Sequence, residues 1–376
     1  LVFCSAQHEL PSLLRVLSAR CTAPFGGCSG EGVITARGSF EGSFWLSIMA
    51  VSATRMRWHP TLLRSIYPAK DAVVQLAAFV EEKRTGPDSL LLLCPDGMCT
   101  ELPALLELLD ESLPETKIVG GAAGDTMRFE RTYQFCGRDW SSEGAFALLL
   151  DGRFDAFVEV SHGCSRLGIE HCVSAAEGAL VQRIDEQAAW PMLREYLDED
   201  VRSAAGLPLL TVAADVGDGD WVVRSPHRII EGRDEVVFSA RLPEGTRFQM
   251  TRRSPTSIRD SAHSCARSLL ERADYRRPAL VLHFDCAYRG RLLLGQRADQ
   301  FILAPLLDEL DRDTAWLGIF TYGEIAPLAR ATRLHNDSLV LCALFDANDD
   351  QGVLQMLGTT EENSECGHLG KQLEPT

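Results

Sequence analysis

The sequence has no run of about 20 apolar residues, the length that a bilayer-spanning helix needs. Its apolar stretches, such as residues 90–94 and 146–150, are only strand-length. It is also short of basic residues. With 37 Lys and Arg against 53 Asp and Glu, the formal net charge is −16, which argues against nucleic acid or an anionic membrane as the main partner, because both need basic surface. Three catalytic signatures are missing: the phosphate-cradling G-x-x-x-x-G-K-[ST], the nucleophile elbow G-x-S-x-G and the zinc-binding H-E-x-x-H. Residues 26–30 lack the G-x-G-x-x-G order of a dinucleotide site. Kinase, hydrolase and dehydrogenase readings therefore have nothing to stand on, and the expectation is a protein that is not an enzyme. Without C-x-x-C-H, covalent haem attachment is excluded. Twelve cysteines in 376 residues are too few for a disulfide scaffold. Several, such as Cys286 and Cys342, sit inside apolar runs, where a free thiol acts as a small hydrophobe. A reducing cytoplasm is the expected location. The opening LVFCSAQHEL has no basic n-region and reads as a strand, not as a secretion signal.

What the chain does have is a repeat. TAPFGGCSGEGVITARGSFEGSFWLSIMA (residues 22–50), TKIVGGAAGDTMRFERTYQFCGRDWSSEGAFALLL (116–150) and TAWLGIFTYGEIAPLARATRLHNDSLVLCAL (314–344) share one order of events. A short apolar run ends at Gly26, Gly120 or Gly318. A Gly-acid pair follows: Gly30-Glu31, Gly124-Asp125 or Gly323-Glu324. Upstream of each lies an apolar strand (near residues 2–5, 89–94 and 279–285), then a segment with Leu at helical spacing, such as Leu102, Leu105, Leu106 and Leu109. The unit is strand, loop, helix, strand, glycine turn, strand, strand. Hairpins interleaved with crossovers predict an α+β class, with mixed sheets, covering helices and two domains. The boundaries expected are 1–190 and 191–350, with a polar, disordered tail over 351–376.

Taken together, these residues resemble the FIST family of sensory proteins, which carry tandem FIST N-terminal and C-terminal domains. The resemblance rests on Phe284-Asp285-Cys286-Ala287-Tyr288-Arg289-Gly290, on Gly318 to Ile325 and on His335-Asn336. In the N-terminal half it rests on the run from Val119 to Asp125, on His162-Gly163 and on Ile184-Asp185. Cys164 stands where the family pattern has Trp. The resemblance implies a cytoplasmic sensor of a small molecule, such as an amino acid, that signals to a separate partner, for example a histidine kinase or a diguanylate cyclase. A branch of the family binds haem b and senses nitric oxide, which offers His162 as an alternative axial ligand.

The residues themselves nominate a ligand site. A glycine at a strand end lets backbone approach a ligand, which brings in Gly120, Gly121, Gly323 and the neighbouring Tyr322. Asp125 and Glu324 could read an ammonium or hydroxyl group. Arg289 could grip a carboxylate bidentately, with Cys286, His335 and Asn336 beside it. Against this, a glycine can simply serve the turn and an acid can cap the next element. The third copy is singled out by the company of Cys286, Arg289 and His335. As a nucleophile, Cys286 would need a base within reach. His162, Cys164, His171 and Cys172 offer zinc donors, but H-x-C-x6-H-C matches no standard spacing.

Overall fold

A computed structural model describes residues 1–346, apart from 87 and 218, and residues 354–363. The first copy contains β1 (Val2–Ser5), α1 (Leu10–Arg20), β2 (Gly26–Gly30), β3 (Gly32–Thr35), β4 (Gly38–Glu41), β5 (Trp45–Ala53) and β6 (Met56–Leu63). Helix α2 (Ala69–Lys83) leads into the second: β7 (Ser89–Pro95), α3 (Leu102–Ser112), β8 (Lys117–Ala122), β9 (Gln134–Cys136), β10 (Asp139–Ser141), β11 (Ala145–Gly152) and β12 (Phe154–Ser161). An insertion follows, with β13 (Cys164–Glu177), β14 (Leu180–Ile184), β15 (Gln187–Ala188), α4 (Ala189–Leu193), β16 (Val212–Gly217), β17 (Asp220–Arg224), β18 (Pro226–Ile230), β19 (Glu235–Phe238) and β20 (Arg247–Arg253). Helix α5 (Pro255–Arg272) opens the third copy: β21 (Leu280–Cys286), short helices α6 (Arg291–Leu294), α7 (Asp299–Ile302) and α8 (Ala304–Glu309), then β22 (Ala315–Thr321), β23 (Gly323–Leu328), β24 (Ala331–His335), β25 (Leu339–Asp346) and β26 (Leu354–Asn363). The α+β class with mixed sheets and covering helices is as the periodicities predict.

The three copies do not form three separate sheets. The sheet orders are β10-β9-β2-β1-β5-β26, β24-β23-β8-β7-β11-β6 and β4-β3-β22-β21-β25-β12. In each, a parallel pair and one antiparallel strand come from a single copy. The outer hairpin is lent by a second copy and the far edge strand by the third. The lending is cyclic, so the copies are related by a pseudo-threefold axis. Backbone hydrogen bonds close the ring where the strands cross: Glu31 donates to the Phe320 carbonyl (3.0 Å), Gly124 to Ser29 (3.0 Å) and Tyr322 to Ala122 (2.9 Å).

This corrects the glycine turn. The chain does not turn at these glycines. It runs through β2 and β3, or β22 and β23, with one residue between, passing from one sheet into another. Glycine is needed because the crossing strands nearly touch: a Cβ on Gly30 would lie 2.5 Å from the Phe320 carbonyl oxygen, and one on Gly121 would lie 2.5 Å from Thr321 Cγ2. The hydrogen-bond ring also shows that the acids are not equivalent. Glu31 matches Gly124 and Tyr322, whereas Asp125 lies one residue later in its copy and Glu324 two residues later.

The continuous apolar runs follow from burial on both faces. Leu90, Leu92 and Cys94 of β7 point into a core shared by all three sheets, along with Phe3, Phe284, Leu317 and Val340. Leu91 and Leu93 point outward, under α2 and α3. On the third sheet Trp316 and Phe320 meet α5, α7 and α8, and α1 lays Leu10 and Leu14 over β1. The inserted strands form a fourth sheet, β17-β16-β20-β13-β14-β19-β18, with its own core around Trp190 and Phe248.

Two details differ from the expectations. The helical segment expected upstream of the glycine in the third unit breaks into α7 and α8, with Pro305 in the first turn of α8. Part of the tail expected to be disordered, Leu354–Asn363, is a strand paired with β5; residues 351–353 and 364–376 lie outside the described residues. Helix α5 starts at a capping box, Ser254 accepting from the Ser257 amide at 3.1 Å. Ser254→Ala is expected to cost about 1 kcal/mol, read as a lower denaturation midpoint with an unchanged m-value.

Candidate functional site

The third copy differs from the other two in what it buries at the end of its first strand. In β1 the last position is Ser5, whose hydroxyl donates to the Gly42 carbonyl (2.7 Å) and accepts from the Trp45 amide (3.1 Å). The matching position after β7 is Asp96, which accepts from the Thr132 hydroxyl (2.6 Å) and the Met98 amide (3.0 Å). In β21 it is Cys286, preceded by Asp285 and followed at Arg289 by a guanidinium. Asp285 and Arg289 are both fully buried, with Arg289 Nε 3.3 Å from Asp285 Oδ1. His283 Nε2 lies 3.2 Å from Asp285 Oδ2, and Arg289 Nη1 donates to the Ser161 carbonyl at 3.0 Å. Arg289 Nη2 has no hydrogen-bond partner among the described residues.

The inserted sheet closes over this cluster. Arg253, at the end of β20, is buried and ion-paired with Asp337, which also accepts from the Ser225 hydroxyl. Cys164, at the start of β13, has its thiol pushed up by burial against the opposing pull of Arg253 and Arg289. Burial lowers His162 to about 4, and nearby Arg289 adds to this. Glu324 accepts from the hydroxyls of Thr321 (2.8 Å) and Ser338 (2.6 Å). Burial raises its carboxyl to about 8, and Asp285 opposes ionisation further. The Cys286 thiol is driven well above its usual value by burial, with Glu324 adding to the effect.

The chain's relatives agree with this architecture. The FIST N domain model matches residues 1–187 and the FIST C domain model matches residues 189–327. The chain belongs to the FIST family. FIST domains are associated with sensing in signal transduction and not with catalysis. The chain is similar to the uncharacterized protein Mb0898c of Mycobacterium bovis, 30% identical over 275 residues, covering 70% of this chain and 69% of the relative. It is also similar to the uncharacterized protein Rv0628c of Mycobacterium tuberculosis, 26% identical over 336 residues, covering 85% and 83%. The FIST N segment supplies β3 and β12 to the third sheet, and β23, which begins inside the FIST C segment, joins the second, so the two segments interlock.

The residues singled out in the FIST sequence fall into three groups. Cys286, Arg289 and Glu324 gather at the third-copy cluster. Asn336 adjoins it, holding the Tyr322 carbonyl (3.3 Å) and accepting from Arg224 (3.3 Å); a Cβ on Gly323 would lie 3.2 Å from its Nδ2. A second group sits around the pseudo-threefold axis. There the Tyr322 hydroxyl donates to Asp125, which also accepts from the amides of Phe129, Glu130 and Arg131. Glu31 accepts from the amides of Asp125 (3.1 Å) and Met127 (3.0 Å). Asp125 thus orders the loop at residues 123–133. Gly120 and Gly121 lie within β8 at the strand crossing. His335, opposite Glu324 in the β23–β24 pair, is buried, depressed to about 3 by that burial, and has its Nε2 3.2 Å from the Ala326 carbonyl.

These placements bear on the alternatives. A Cys286 nucleophile has a thiol held protonated, and His335 faces a carbonyl instead of the sulfur. The zinc donors are spread along β13: seven extended residues separate Cys164 from His171 by roughly 20 Å. His171 is also occupied on both nitrogens, by Asp185 (2.6 Å) and Tyr196 (2.7 Å). Among the described residues no three His, Cys, Asp or Glu side chains converge on a metal position. His162 Nδ1 accepts from the Cys164 amide at 2.8 Å and its ring packs on Trp221; burial keeps it neutral, the form that ligates haem iron. Sequence reasoning missed Asp285, Arg253, Asp337 and Ser338. Asp285 and Ser338 lie inside or just after the quoted motifs. Arg253, 33 positions before Cys286 in sequence, carries no local signal at all.

Proposed function

We propose that this FIST protein is the small-ligand input of a signal-transduction system, working in the cytoplasm. The ligand is a polar metabolite of the amino-acid type, bound beside Arg289. The output passes to a separate protein such as a histidine kinase or a diguanylate cyclase. One observation carries the reading: Arg289 is wholly buried, yet keeps an unpartnered N–H group at Nη2, and the adjacent Asp285 Oδ1 accepts no hydrogen bond among the described residues. The unpartnered Nη2 edge can take a ligand carboxylate, and the Asp285 carboxylate, paired with Arg289 Nε at 3.3 Å, lies beside it for the ammonium. An unmade buried hydrogen bond costs roughly 1–3 kcal/mol, so a ligand that completes the set recovers that energy on binding. The position supports signalling as well. The cluster lies where the inserted sheet meets the third copy, and occupancy would tie the two together. The eleven described cysteines, all free, support a reducing compartment.

A thermal-shift screen of the twenty amino acids and simple carboxylates tests this, repeated on Arg289→Lys, which keeps the charge but loses the planar fork. At least one zwitterion is expected to raise Tm saturably in the wild type and to do so at least tenfold more weakly in the variant. No shift with any compound, or an identical shift in Arg289→Lys, would place the site elsewhere.

A further inference from the structure

Away from that cluster, a cavity of about 200 Å³ opens where α3 and β24 of the second sheet face β16 and β17 of the inserted sheet. Three arginines line it: Arg224, Arg241 and Arg333. Arg241 Nη2 and Arg333 Nη1 stand 3.5 and 3.6 Å from the two oxygens of one carboxylate, Glu107. Arg224 is different. It is 5% exposed, and its Nη1 donates only to neutral acceptors: the carbonyls of Val223 and Leu334, both at 2.9 Å, and Asn336 Oδ1 at 3.3 Å. Among the described residues no carboxylate lies within ion-pairing distance of Arg224. The nearby Asp337 is already engaged by Arg253 and Ser225. Burial and the like charge of Arg333 pull the Arg224 guanidinium down to about 10.

A buried guanidinium without a counter-ion is strongly unfavourable. Here it faces a cavity, with two further guanidiniums sharing a single acid. The remaining acid on the wall, Asp215, already accepts from the Gly217 amide at 2.8 Å. The walls therefore hold three positive charges against two negative ones, in a chain whose net charge is −16. We infer that this cavity is a second ligand site, taking a small oxyanion, a carboxylate or phosphate group, whose charge completes the set around Arg224. Its volume is below the roughly 300–1,000 Å³ of drug-sized sites, so the ligand is a small acid or a single phosphate group. Glu107 belongs to the FIST N segment, while Arg224, Arg241 and Arg333 come from beyond residue 189. A bound oxyanion held by Arg224 of the inserted sheet and Arg333 of β24 would bridge the inserted and second sheets and stiffen their junction, a means of tuning the output independently of the Arg289 site.

The test is a titration of the whole chain with inorganic phosphate and, separately, with succinate, following Tm at constant ionic strength against chloride. It is run on the wild type, Arg224→Met and Arg333→Gln. One or both anions should raise Tm saturably in the wild type, with the apparent Kd weakened at least tenfold in both variants. Phosphate alone acting assigns a phosphate source, and succinate alone a carboxylate source. Arg224→Met should also melt higher than the wild type in chloride, because it removes an uncompensated charge. Should that variant fail to fold, Arg333→Gln decides by itself, since Arg333 is partly exposed and its loss leaves the core intact. The inference is overturned if neither anion moves Tm beyond the chloride control, or if the folded variants keep the wild-type midpoint. Arg289→Lys should leave this titration unchanged, which separates failure here from failure of the amino-acid site.

Discussion

Asp285→Asn is expected to destabilise this protein by about 3–5 kcal/mol, the range for removing one partner of a buried ion pair. The substitution preserves shape and leaves Arg289 as a fully buried cation whose firm remaining hydrogen bond is to the Ser161 carbonyl. Because the cost comes from the stranded charge and not from a lost contact, removing the charge as well should recover much of it. The double variant Asp285→Asn with Arg289→Met is therefore expected to be more stable than Asp285→Asn alone, although each change is damaging by itself. Urea unfolding of the four proteins in the cycle gives the coupling directly. Equal midpoints for Asp285→Asn and the double variant would show that the guanidinium is not held by Asp285. The proposed site depends on that pairing, because it holds the guanidinium so that Nη2 is left without a partner.

The sequence carried the content of this fold further than its arrangement. Continuous apolar runs place β7 and β21, and helical spacing places α3 and α5, to within a few residues, because each is long enough to show its own pattern. The exchange of hairpins and edge strands among the three sheets is invisible to such reasoning: β3 pairs with β22 some 285 positions later, and nothing in either run names the other. The same blindness explains the glycines. A small residue at a strand end reads locally as a turn, whereas the requirement at Gly30 is the Phe320 carbonyl arriving from another copy. Within the site, Cys286, Arg289 and Glu324 were legible because each sits at the end of an apolar strand. Arg253 was not, since it reaches the cluster only through the inserted sheet. Tyr322 and Glu324 lie only two residues apart, yet they join different clusters, Tyr322 meeting Asp125 and Glu324 meeting Thr321 and Ser338.

Glu324 is sealed in the interior, where it makes stability depend on pH. Its carboxyl titrates at about 8 in the folded chain, against an ordinary value of 4.5. A raised carboxyl means that the folded state holds a proton which the unfolded chain has given up, between about pH 4.5 and 8. Stability from this group is therefore fully present below about pH 4.5 and is lost progressively as pH rises to about 8. Shifts of this size correspond to a loss on the order of 4 kcal/mol. Glu324→Gln keeps the shape and an acceptor oxygen for Thr321 or Ser338, and it has no proton to lose. Its denaturation midpoint should match the wild type near pH 5 and exceed it clearly by pH 9, where the wild type has an ionised carboxylate sealed beside Asp285. Parallel pH profiles for the two proteins would mean that Glu324 is solvated or paired in the folded state. A divergence that opens just above pH 5 and levels off near pH 8 would identify this buried acid as the group that sets the alkaline limit of the fold.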